Sequence, residues 1–188
     1  MNELRDYLKY YPSEEEMLFK ELHNSFNKKH YLTAEEFFSI VVWKSPRAKT
    51  KVLNGLIKKS LSIEEITRDF NNRDSEGKIK SLVGRFGGIP GVGMPIASAI
   101  LSVCYPKEFT VVDIRAKKSL ENIGRSVNGN PSENIDSYLG YVKICLEESK
   151  KENVSLREFD KILFGRDIYE GKGGIKELAE LYSKNLQR

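Results

Sequence analysis

Cysteine is nearly absent from this 188-residue chain: Cys104 and Cys145 are the only two, with no CxxC pair and no histidine at a zinc-ligand spacing. An iron–sulfur cluster takes about four cysteine ligands, so it is excluded, and a structural zinc site is excluded with it. The two thiols read as buried and free, as suits a reducing compartment. Histidine is as scarce. His23 and His30 stand alone, and nothing near them in sequence assigns them a role. Strand patterning is thin, because only Thr110-Val111-Val112 is β-branched, and so short a run makes no sheet. No apolar run approaches the roughly 20 residues that a membrane helix needs. The longest, Phe37 to Trp43, is interrupted by Ser39 and stops at Lys44. The first residues, MNELRDYLKYYPSEEE, contain no apolar signal core. A cytoplasmic protein, nucleoid-associated if prokaryotic, with no membrane partner is the expectation. Repeats, low-complexity tracts and long linkers are also missing.

What is present is charge and helical periodicity. Charged residues make up 31% of the chain and apolar ones 39%, a balance that supports a packed core rather than disorder. The net charge of +4 permits a polyanionic partner without demanding one. The basic residues cluster at Lys28-Lys29-His30, Lys44 to Lys51, Lys58-Lys59 and Arg115 to Lys118. Each cluster taken alone reads first as a solvated helix face. Ser13 with Glu16, Thr33 with Glu36, Ser62 with Glu65 and Ser155 with Glu158 have capping-box spacing. Ser45-Pro46 is a further helix start, with proline where its missing N–H costs nothing. These signals, with apolar spacing such as Leu53, Leu56, Ile57 and Ile135, Leu139, Val142, Leu146, predict helices at about 14–27, 34–44, 46–60, 63–71, 76–86, 94–105, 114–124, 132–150, 156–164 and 174–187. The chain is expected to be all-α and to form a single globular unit over 1–188.

One segment stands apart, Arg85 to Ala116 (RFGGIPGVGMPIASAILSVCYPKEFTVVDIRA). Pro90 stops the preceding helix and fixes a turn. Gly91 and Gly93 permit positive φ and close approach of another backbone. The following helix opens near Met94, so its free amides and the positive end of its dipole face out of the turn and suit a phosphate. Ala97, Ser98 and Ala99 allow close packing behind it. The stretch lacks the GK[ST] ending of a P-loop and does not follow a strand, which argues against nucleotide-binding loops of the P-loop and dinucleotide types.

This segment resembles the signature of the helix-hairpin-helix DNA glycosylase superfamily: a hydrophobic-Pro-Gly-hydrophobic-Gly hairpin, then an aspartate shortly after the second hairpin helix. Gly93 and Asp113 lie 20 residues apart, as in that family. Val111-Val112 before the acid and Arg115 after it fit as well. The likeness is strong from about Phe86 to Arg115, looser over 34–60, and merely compatible elsewhere. It implies a compact fold of two helical lobes with a cleft between them. The hairpin and catalytic segment would span 76–124 and a second lobe about 30–75, with the terminal helices completing the first. It further implies hydrolysis of the N-glycosidic bond of a damaged or mispaired base in double-stranded DNA by a monomer. No cofactor is required, although a monovalent cation has room at the hairpin.

Asp113 is the implied catalytic carboxylate. Cleaving a base from its sugar leaves positive charge on C1′ and the ring oxygen, which a nearby carboxylate stabilises. It can also orient or deprotonate the attacking water. The plainer reading is an N-cap, and the two roles are compatible. Family members that also cut the strand carry a lysine two residues after the second glycine, where this chain has Pro95. A monofunctional enzyme using water is therefore implied, with Lys44 the substitute amine should a covalent adduct form. Ile89, Pro90, Gly91, Val92, Gly93, Arg115, Lys44 and Arg47 are the candidates for contact with the DNA backbone, with Lys49, Lys51, Lys117 and Lys118 as further basic residues. Trp43 and Lys44 are candidates for the base pocket. Trp43 reads equally as a stacking platform or as ordinary core, and Tyr7, Tyr10, Tyr11, Tyr31, Phe37, Phe38 and Tyr105 read as packing. The rival reading is a noncatalytic helix-hairpin-helix DNA-binding protein, which the hairpin alone supports equally well.

Overall fold

The computed structural model describes residues 4–11 and 14–186. Its regular elements are helices: α1 (Glu14–Lys29), α2 (Ala34–Lys44), α3 (Lys49–Lys59), α4 (Ile63–Arg68), α5 (Ser75–Leu82), α6 (Met94–Cys104), α7 (Ile114–Asn122), α8 (Ile135–Lys151), α9 (Leu156–Glu170) and α10 (Ile175–Leu186). Short 3-10 turns occupy Leu4–Tyr10, Pro46–Ala48, Asp69–Asn72 and Gly84–Phe86. Among the described residues no β-strand forms, and the only β-type pairing is an isolated bridge between Val83 and Ile89. No helix among them is long and apolar enough to cross a membrane.

The caps explain most boundaries. Thr33 and Ser155 each accept from the N3 amide while Glu36 and Glu158 reach back, which closes two full capping boxes. At Ser62 only the serine half forms, to the Glu65 amide. Ser13 lies outside the described residues. The expected helix 46–60 divides, because Pro46 opens a 3-10 turn before α3 begins at Lys49. The expected helix 76–86 stops at Leu82, where the chain turns through the Val83 bridge. One element was not foreseen, and one helix runs longer than expected. The Leu4–Tyr10 turn packs on α9, and α9 runs on past Gly165 to Glu170. Gly165 explains the seating of the turn: a Cβ there would lie 2.2 Å from the Tyr7 carbonyl oxygen, so the missing side chain makes room for the N-terminal turn.

Helix α6 is the centre of the core. Every residue from Met94 to Cys104 except Pro95 is buried, and α1, α2 and α5 pack around it. Such a helix, apolar all round, is stable only inside other elements. Phe26, Phe37, Phe70, Phe109, Tyr138, Tyr141 and Phe159 fill the surrounding space at under 2% exposure or close to it. Cys104 and Cys145 are buried free thiols. Burial pushes both well above the usual thiol range, so they stay protonated. His23, given no role from sequence, is a structural tie: its Nδ1 sits 2.8 Å from the Val103 carbonyl and its Nε2 2.9 Å from Asn27 Nδ2.

Candidate functional site

The turn between α5 and α6 is tied at several points. Val92 N–H donates to the Ile89 carbonyl at 3.0 Å and Gly84 N–H to the Val92 carbonyl at 3.0 Å, while Ile89 N–H reaches the Leu82 carbonyl at 3.0 Å. Pro90 and Gly91 are the two central residues, and Gly91 has φ of +91°, the conformation a type II turn requires there. Gly93 instead has φ −99° and ψ 175°, extended backbone open to any residue. Its value lies in exposure as the α6 cap. Neither the Gly91 nor the Gly93 amide has an acceptor among the described residues. Ile89 and Val92, expected to touch DNA, are 0% and 3% exposed. They anchor the turn in the core, and the outward face is left to Pro90, Gly91 and Gly93. Helix α3 closes over the turn from the other side. A Cβ on Gly55 would fall 2.4 Å from the Pro90 oxygen.

The segment leading to Asp113 is extended without belonging to a sheet, so its polar groups find other partners. Val112 N–H donates to Ser98 Oγ on α6 at 3.0 Å, and the Ser98 hydroxyl donates to the Pro95 carbonyl at 2.9 Å. From the opposite side, Tyr138 OH donates to the Thr110 carbonyl at 2.8 Å and Tyr141 OH to that of Val111 at 3.4 Å. Ser98 is thus more than a small residue for packing. It fixes the residue before Asp113 one turn into α6, the helix that begins at the exposed glycine.

Asp113 is the N-cap of α7: Oδ1 accepts from the Arg115 amide at 2.9 Å. The other oxygen, Oδ2, accepts from Lys44 Nζ at 2.8 Å. The pair is enclosed without being sealed, at 11% side-chain exposure for Lys44 and 26% for Asp113. Burial works to raise the Asp113 carboxyl, but the Lys44 ammonium and the Arg115 amide outweigh it and hold the group below its usual range. The acid is ionised at neutral pH.

Both side chains line a pocket of about 170 Å³ with Trp43 and Val111 as well as Tyr11, Glu15, Arg157, Asp160 and Phe164. Trp43 is half-buried, packed edge-on against Phe19 at 4.8 Å between ring centroids, so it is core on one side and pocket wall on the other. Arg157 bonds Asp160 on α9 and donates to Tyr11 OH at 2.8 Å, and Tyr11 OH in turn donates to Glu15. Burial raises the Asp160 carboxyl, with Arg157 and Lys44 pulling the other way. Tyr11 was expected to be packing only. Arg157, Asp160 and Phe164 escaped sequence reading altogether, although their i, i+3, i+7 spacing on α9 marks one helix face.

No family model, curated protein or solved structure matches this chain.

The remaining candidates sit outside the pocket. Arg115 is half-exposed, stacked over Phe164 at 5.4 Å and 3.8 Å from Asp167. Arg47, Lys49 and Lys51 are exposed on the turn and first residues of α3, and Lys118 is exposed on α7. Lys117 faces Glu121 at 3.6 Å. Lys44, expected first as a phosphate contact, directs its amine inward to Asp113, which separates it from this basic surface. Among the described residues no cluster of histidine, cysteine and acidic side chains is arranged to hold a metal ion.

Proposed function

We propose that this protein is a DNA N-glycosylase that removes a damaged or mispaired base by hydrolysis, with Asp113 as the carboxylate at the sugar. One observation carries the reading. An ionised acid stands in a half-open, aromatic-walled pocket, at the end of a segment pinned to the helix whose N-terminus offers unpaired amides. In this reading the α5–turn–α6 unit is the helix-hairpin-helix, and Gly91 and Gly93 N–H groups hold a DNA phosphate. Arg47 and Arg115 extend that grip along the backbone. The pocket lies between a lobe of about residues 30–75, which supplies Trp43 and Lys44, and the rest of the monomer. A flipped base enters beside Trp43, Tyr11 and Phe164, where stacking repays the cost of unstacking it from the duplex.

As positive charge grows on the sugar, the Asp113 carboxylate stabilises it, and the same group orients the water that attacks C1′. The cap fixes where the carboxylate points, so the structural and chemical roles support each other. That cap also favours the second reading, a noncatalytic DNA-binding protein in which the Lys44–Asp113 pair merely holds α2 to α7. A panel of duplexes, each carrying one alkylated, deaminated or oxidised base, separates the two. Incubation followed by alkali should cut at least one lesion strand with the wild type. Salt-sensitive DNA binding without cutting on any lesion would leave only the second reading.

A further inference from the structure

We infer that Lys44 is an amine nucleophile toward the abasic sugar left after base removal, giving the site a strand-cleaving β-lyase activity; this rests on the DNA-repair reading above. Pro95 leaves the start of α6 without an amine, which from sequence implied an enzyme that stops at the abasic site. The fold supplies an amine from another element. Lys44, the last residue of α2, brings Nζ to 2.8 Å from Asp113 Oδ2 inside the same pocket. Its Nζ lies 5.9 Å from the Trp43 ring centroid, and only 11% of its side chain is exposed. The cationic residues on the neighbouring turn, Arg47 and Lys49, are exposed. Lys44 is directed at the pocket. An ion pair whose only task is to hold two helices gains little over apolar residues of the same size, and it has no need of an open cavity at its carboxylate.

The chemistry closes on these two groups. The ring-opened abasic deoxyribose carries an aldehyde at C1′. Asp113 takes a proton from the Lys44 ammonium, and the freed amine adds to C1′ to form a carbinolamine. Asp113 returns that proton to the new hydroxyl, which leaves as water, so a protonated imine joins Lys44 to C1′. The carboxylate then removes a proton from C2′. The electron pair flows toward the imine and then expels the 3′ phosphate as the C3′–O bond breaks. Water finally hydrolyses the imine, releasing the unsaturated aldehyde and restoring the amine. No oxidant, reductant or metal enters.

The test uses the full chain and a duplex with a single abasic site, treated with sodium borohydride, which reduces the imine to a stable amine. The wild type should form a covalent adduct, and peptide mapping should place the sugar remnant on Lys44. Lys44→Ala should lose the adduct, and Lys143→Ala, at an exposed position on α8 outside the pocket and the basic surface, should keep it. The mapping needs no variant, so a poorly folded Lys44→Ala does not blunt it. An adduct at any other amine overturns the inference. So does the absence of adduct from protein that releases a lesion base, a result that leaves the glycosylase reading standing. Failure to release any base or to bind the abasic duplex would remove both.

Discussion

Replacing Ser98 by alanine removes a single oxygen, and the structure says what that oxygen holds. Ser98 Oγ is the acceptor for Val112 N–H at 3.0 Å, and Val112 is 1% exposed. No water reaches the orphaned amide, so the loss should cost about 1–3 kcal/mol rather than the few tenths of an exposed bond. For a chain of this size each kcal/mol lowers Tm by about 2–4 °C. Ser102 is the matched control, one turn further along α6 and equally buried at 2%. Its hydroxyl only donates to the Ala99 carbonyl of its own helix at 3.3 Å. Ser102→Ala should stay within about 0.5 kcal/mol of wild type, since alanine is the better helix former. Equilibrium urea unfolding of both variants at unchanged m reads the difference. Excision should follow it, because Val112 is the residue that delivers Asp113. Equal stabilities for the two variants, or full excision by Ser98→Ala, would refute the idea that α6 positions the carboxylate through this bond.

Gly55→Ala would improve an isolated helix by about 1 kcal/mol, but its methyl group meets the Pro90 oxygen at 2.4 Å. The variant should be less stable in thermal unfolding and should bind DNA more weakly, and a gain in Tm would contradict the close seating of α3 on the turn. The Asp113 carboxyl is held below the ordinary 3.8. Its contribution to stability is therefore present above about pH 4 and is lost as pH falls through the lower folded value, so excision should show no acid limb from this group near pH 5. Lys44→Met removes the main opposing charge and lets burial act. The acid limb of excision should then move to higher pH, and an unmoved profile would show that Lys44 does not set the ionisation of Asp113. Trp43→Ala should lower base release more than nonspecific duplex binding, measured by fluorescence anisotropy; equal losses would make Trp43 a core residue only.

The helices were readable because their ends are marked locally. Thr33, Ser62 and Ser155 announce starts by chemistry that acts within four residues. The extended approach to Asp113 was visible as a β-branched run, but its support was not. Ser98, Tyr138 and Tyr141 hold it from helices 14 to 30 residues away, and no local pattern encodes such a meeting. The pocket divides in the same way. Trp43, Lys44 and Asp113 stand out by rarity or by motif, whereas Tyr11, Glu15, Arg157 and Asp160 are ordinary residues until α9 packs beside the N-terminal turn. The direction of Lys44 is the clearest case. In sequence it is the first member of a basic run, and only the fold turns it away from that run toward the acid.

Single-turnover excision of the preferred lesion by wild type and Asp113→Asn tests the central claim most directly. Asparagine caps a helix as well as aspartate does, so the change removes the charge and keeps the cap, and circular dichroism with thermal unfolding verifies that the protein stays folded with Lys44 unpaired. The account predicts a rate loss on the order of 100-fold or more, with binding to undamaged duplex retained. A folded Asp113→Asn protein that releases the base at near the wild-type rate would contradict it.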